Sequence, residues 1–137
     1  MEMNLRYISA DVKEKGREIL QGYDISPPQF VALQWVSDQT EITIGMIAEK
    51  MHLAHSTTSD MIDRLEKLGF VERKKDEKDR RVVRVYIMRN GERVIQEVIE
   101  KRRTYLEELL EGLAEEEKKQ FGVLLGHIYE RMMERTN

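Results

Sequence analysis

His55-Ser56-Thr57-Thr58-Ser59-Asp60-Met61-Ile62-Asp63-Arg64-Leu65-Glu66-Lys67-Leu68-Gly69-Phe70-Val71-Glu72-Arg73 changes its hydrophobic period part-way along. Up to Leu68, the apolar residues Met61, Ile62, Leu65 and Leu68 recur at intervals of three and four, which predicts a helix over 56–68 with one buried face. Ser56 or His55 is its expected start. Beyond Gly69, the residue type that commonly ends a helix in the left-handed conformation, the β-branched and aromatic residues predict a strand.

Downstream, Val83-Arg84-Val85-Tyr86-Ile87 is a second such run, so 70–87 reads as a hairpin around the polar stretch Lys74 to Arg81. From Glu72 to Arg84 the chain holds seven cations against four carboxylates, a local net charge of +3 in a chain of net charge -3. Local cations, not the whole-chain balance, neutralise phosphates. Upstream, Ile44 to Met51 reads as a short helix capped by Thr43, joined through Met51-His52-Leu53-Ala54-His55 to the helix quoted above. Two short helices, a tight turn, then a hairpin with a cationic loop is the order of a winged helix-turn-helix. The small polar residues at the start of the second helix suit it to approach phosphates and base edges in a major groove.

The flanks are helical. Leu5, Ile8, Val12, Ile19 and Leu20 predict an amphipathic helix over 4–22, with Gly22 as its stop. Ser26-Pro27-Pro28-Gln29 carries a capping box with Pro at the first helical position, so another helix starts at Pro27 and runs to about Ser37. Its apolar residues Phe30, Val31, Leu33, Trp35 and Val36 cover much of its circumference and predict burial on more than one side. Gly91 is expected to open a long helix carrying Val94, Val98, Leu106 and Leu109, and Glu115-Glu116-Glu117 lead a last one. These outer helices hold more apolar surface than a lobe of about 50 residues can cover, which predicts a homodimer.

With 137 residues, 40% hydrophobic and 36% charged, the chain is expected to form a single domain over 1–137. Cysteine is absent, which removes disulfides and thiolate chemistry. No apolar run approaches the length of a membrane span, and no leader pattern opens the chain, so a cytoplasmic protein without membrane contact is expected. There is no Gly-rich phosphate loop, no nucleophile with a placed base and no paired-carboxylate constellation, so an enzyme is not expected.

Ile42 to Leu53, the Asp63-Arg64-Leu65-Glu66-Lys67-x-Gly69 helix end, and Asp79-Arg80-Arg81 through Gly91 resemble the MarR (multiple antibiotic resistance regulator) family. That resemblance implies a mainly α fold with a small β-hairpin wing. In it, 26–91 form the winged helix-turn-helix DNA-binding lobe, and 1–23 and 92–137 supply dimerisation helices. It further implies a transcriptional regulator of double-stranded DNA, a ligand-responsive repressor bound as a dimer to a pseudo-palindromic operator. The residues expected at DNA are His55, Ser56, Thr57, Thr58, Asp60, Arg64, Arg73, Lys75, Lys78, Asp79, Arg80 and Arg81. Arg81 would reach the minor groove and Asp79 would orient it.

Three positions depart from the pattern. Asp60 stands where a basic or neutral residue is common, and would need Arg64 one turn on as a partner or a cytosine amino group as a donor. Ile87-Met88 replaces Leu-Thr before the long helix, leaving Asn90 as a substitute cap, and Ala114 replaces a Ser cap before the last one. Tyr7, Phe30 and Trp35 are candidates to line a pocket for a small-molecule effector of unknown identity. His52, His55 and His127 lack further ligands, so no metal or cofactor is assigned. A winged-helix module that docks an acidic protein partner, and a metal-responsive regulator, stand as the alternatives.

Overall fold

The computed structural model describes all residues, Met1–Asn137. Six helices and three strands follow in the order α1 (Glu2–Gln21), α2 (Pro27–Asp38), β1 (Ile42–Thr43), α3 (Ile44–Met51), α4 (His55–Lys67), β2 (Val71–Lys75), β3 (Val83–Ile87), α5 (Arg89–Leu109) and α6 (Glu115–Thr136). The chain gathers into two compact units, 1–102 and 103–137.

The first unit is built on α2. Ser26 caps it as expected: its hydroxyl accepts from the Gln29 N–H at 3.3 Å, and the Gln29 side chain accepts from the Ser26 N–H at 2.9 Å. Phe30, Leu33 and Val36 on α2 are buried with Leu20 and Ile25 before it, Ile47 on α3, Ile62 and Leu65 on α4, and Val94 and Val98 on α5. Each such side chain contributes roughly 1.5–3 kcal/mol of burial, so this cluster sets the position of every element that carries the site.

The sheet is antiparallel in the order β1-β3-β2. β2 and β3 form the expected hairpin, with Val71 opposite Ile87 and Lys75 opposite Val83. β1 is an addition to the sequence reading: Ile42 pairs with Val85 and Thr43 with Arg84. Two residues are too short to display an alternating period, so nothing in the sequence sets them apart.

The start of α5 differs from expectation. α5 begins at Arg89 rather than Gly91, and Asn90 lies inside it rather than capping it. Gly91 is needed in the first turn for another reason. The Phe70 carbonyl, which accepts from the Met88 N–H at 2.9 Å, occupies the place a Cβ would take, and Ile87 Cδ1 would lie 2.7 Å from that Cβ. α6 starts after Ala114, which has no side chain to cap with. The Glu117 carboxylate instead accepts from the Ala114 N–H at 3.0 Å, half of a capping box.

In the second unit, Phe121, Leu124, Leu125, Ile128, Tyr129 and Met132 of α6 are exposed, and so are Leu5, Tyr7 and Ile8 of α1 in the first. No helix is long and apolar enough to cross a membrane.

Candidate nucleic-acid interface

α3 and α4 form the helix-turn-helix. Thr43 caps α3, accepting from the Met46 N–H at 3.1 Å. His52 ends it with φ 55°, and the His52 and Leu53 N–H groups donate to the Glu49 and Ala48 carbonyls. A left-handed residue here turns the chain at once, so α4 starts three residues later.

α4 starts at His55, one residue before Ser56, after Ala54 in extended conformation, and no side chain caps it. Neither His55 nor Ser56 is the N-cap. His55, Ser56 and Thr57 are exposed on its first turn, where the unpaired N–H groups and the helix dipole favour an anion. Thr58 is a correction to the expected DNA contacts. It is fully buried, and its hydroxyl donates to the Ala54 carbonyl at 3.0 Å, because position 58 falls on the stripe of Met61, Ile62 and Leu65.

Asp60 is exposed, but Arg64 does not pair with it. The Arg64 guanidinium goes instead to Asp24 Oδ2, at 2.5 Å, in the corner between α1 and α2. Arg73, also expected at DNA, turns back onto α4. It forms ion pairs with Asp63 and Glu66, the latter at 3.5 Å, and its own N–H donates to Glu66 at 2.9 Å. Both arginines meet carboxylates distant in sequence, Asp24 for Arg64 and Asp63 with Glu66 for Arg73, which local spacing does not reveal.

The wing is tied by two aspartates. Asp79 accepts from the Arg81 N–H at 3.1 Å, from its Nε at 3.1 Å and from its Nη2 at 3.3 Å, while the Arg81 side chain remains 91% exposed. This is the forked contact expected of the pair, and it aims the guanidinium outward. The Arg81 side chain, then its backbone N–H, hold the Asp79 carboxyl below its ordinary pKa.

Asp76 was not singled out in the sequence. Its carboxylate accepts from the N–H groups of Asp79 at 2.9 Å and Lys78 at 3.2 Å and from Arg84 Nε at 3.4 Å. The Asp79 N–H, more than Lys78 or Arg84, holds its pKa down against slight burial. An Asp at a turn entry that binds the amides two and three residues on is the signal that identifies it. Arg84 also donates to the Glu41 carbonyl at 3.2 Å, linking the wing to the β1 turn. Lys75, Lys78 and Arg80 are exposed around Arg81.

The expected effector residues have different surroundings within the chain. Phe30 is a core residue with the Arg102 guanidinium 5.0 Å from its ring centroid. Trp35 borders a shallow depression with Val31, Gln34 and Asp38, and Lys50 lies 4.7 Å from its ring. Tyr7 is exposed on α1, beside Arg6. No group of three or more His, Asp or Glu side chains is gathered in a way that could hold a metal ion.

Known proteins share this arrangement. A MarR family model matches residues 25–83, and the HTH-type transcriptional regulator YsmB of Bacillus subtilis is 54% identical over 117 residues, covering 85% of this chain and 80% of YsmB. The chain belongs to the MarR family. A solved MarR family protein from Bacillus stearothermophilus is 47% identical, covers 96% of this chain and 92% of its own, and superposes with a TM-score of 0.81. A transcriptional regulator from Thermotoga maritima is 32% identical over 98% of this chain and 94% of its own, with a TM-score of 0.77. This MarR-family chain is accordingly a DNA-binding transcriptional regulator with a winged helix-turn-helix.

Proposed function

We propose that this regulator acts in the cytoplasm as a homodimeric repressor on a pseudo-palindromic operator, releasing DNA when a small molecule binds. The observation that carries the reading is the exposed apolar surface of α1 and α6. Leu5 on α1 is 65% exposed and Ile128 on α6 is 64% exposed, and exposed apolar helix faces of this kind are characteristic of interfaces.

A two-fold dimer presents two copies of the α4 start and two wings. Half-sites are then expected about one DNA turn, roughly 34–36 Å, apart. His55, Ser56 and Thr57 would face one groove edge, and Arg81, held by Asp79, would enter the adjacent minor groove with Lys75, Lys78 and Arg80 at the phosphates. A dimer on such a site covers the promoter against other proteins, which is the simplest form of repression. Effector response requires only that the ligand bind the DNA-free and DNA-bound forms with different affinity.

Selection of bound duplexes from a random pool tests the reading. The expected result is a symmetric motif with that half-site spacing, bound with an affinity that falls steeply with salt. Recovery of no preferred sequence, or of an asymmetric one, overturns the dimeric operator model.

A further inference from the structure

Arg64 lies on the helix that faces DNA, yet its side chain is engaged elsewhere. Its Nη2 donates to Asp24 Oδ2 at 2.5 Å and to the Asp24 carbonyl at 3.3 Å, forty residues away in sequence. Asp24 has φ 60°, and the corner is closed by backbone bonds from Tyr23 to Leu20, Asp24 to Gln21 and Ile25 to Leu20, with Ile25 buried. The guanidinium therefore grips a fixed turn by two different atoms.

The preceding residue grips α5. The Tyr23 hydroxyl donates to Glu97 Oε1 at 3.1 Å, Arg93 donates to the other oxygen of Glu97 at 2.6 Å, and the Lys101 ammonium lies 4.7 Å from the Tyr23 ring centroid. Two adjacent residues thus tie one corner to two helices: Tyr23 to α5 and Asp24 to α4. We propose that the Tyr23-Asp24 corner sets the orientation of α4 against α5, and that Arg64 is a positioning residue acting through Asp24 and not a ligand of DNA phosphate.

The inference rests on DNA binding by the winged helix-turn-helix, and it does not need the repressor reading. It makes Asp24, which lies outside the helix-turn-helix, matter to DNA affinity. It also removes Arg64 from the phosphate contacts that generate salt dependence.

The test is a double-mutant cycle with Asp24→Asn and Arg64→Gln, measuring affinity for a selected duplex by fluorescence anisotropy across salt. Asn tolerates the left-handed backbone of Asp24, so the substitution removes charge without disturbing the turn. Each single variant is expected to weaken binding about two- to fivefold, the scale of an exposed ion pair. The double variant should lose no more than either alone, because both act on one contact. The slope of log affinity against log salt should match the parent chain, and the melting temperature should stay within a few degrees.

A phosphate ligand behaves differently. Arg64→Gln would then lower the slope by about 0.9, and Asp24→Asn would leave affinity unchanged or raise it by freeing the guanidinium. Either result, or additive losses, overturns the proposal. A parent chain that binds no duplex at all would overturn the operator reading instead, whereas wild-type affinity in Asp24→Asn on a duplex the parent binds overturns this inference alone.

Discussion

Thr57 and Thr58 are neighbours of identical chemistry with opposite surroundings, one exposed and one fully buried with its hydroxyl on the Ala54 carbonyl. Thr58→Ala is expected to destabilise the fold by about 1 kcal/mol in urea denaturation, the worth of one buried hydrogen bond, without altering sequence preference. Thr57→Ala should do the reverse, changing which duplexes are preferred while leaving the unfolding midpoint in place. Arg81→Ala should weaken operator binding roughly tenfold in a titration at fixed salt, since a well-placed side chain at bases is worth about 1–3 kcal/mol. Unchanged affinity would remove Arg81 from the interface. At this scale the sequence was a partial guide. The Asp79-Arg81 contact was expected from the resemblance in the wing, and the structure has it between residues two apart. The partners of Arg64 and Arg73 were not legible because their carboxylates are chosen by tertiary packing, and Thr58 was misplaced because a polar residue on an apolar stripe looks exposed until its hydroxyl partner is known.

Helices and strands were more readable than side chains, since their signals are periodic and local. The capping box of α2, the Thr43 cap and the change of period at Gly69 all give elements where expected, with Gly69 at φ 80°. What escaped was β1, too short for a period, and the start of α5, where Gly91 answers to the Phe70 carbonyl rather than to a helix end. Gly91→Ala should therefore cost about 1–3 kcal/mol by overpacking against backbone, read as a lower melting temperature. A chain melting like the parent would show that α5 can shift without penalty. The wing has its own pH dependence. Asp76 and Asp79 have folded pKa values below their ordinary ones, so their contribution is complete above the ordinary value and is lost as pH falls through the folded values. Side-chain titration by NMR should show both midpoints below that of an ordinary aspartate, with wing amides losing protection only in that acidic range and not near neutrality. Ordinary midpoints would contradict the hydrogen bonding described for the wing.

For the molecule as a whole, net charge -3 and a wing segment of +3 coexist because recognition uses a local field. The apolar residues of α6 give the assembly its own test. Ile128→Lys should convert a dimer into a monomer in sedimentation at micromolar concentration while circular dichroism keeps its helical signature, and a parent chain that is already monomeric would refute the dimer. The uncapped start of α4 bears on the whole molecule in a different way. A helix that lacks an acceptor for its first amides is less stable alone than it would be with one, and a DNA phosphate is an acceptor of the right charge. On the proposed operator contact, local folding of that first turn and occupancy of the operator would become one equilibrium. The protein's heat resistance would then depend partly on how much DNA it finds, rising by about 2.7 kcal/mol when free operator stands at one hundred times its dissociation constant.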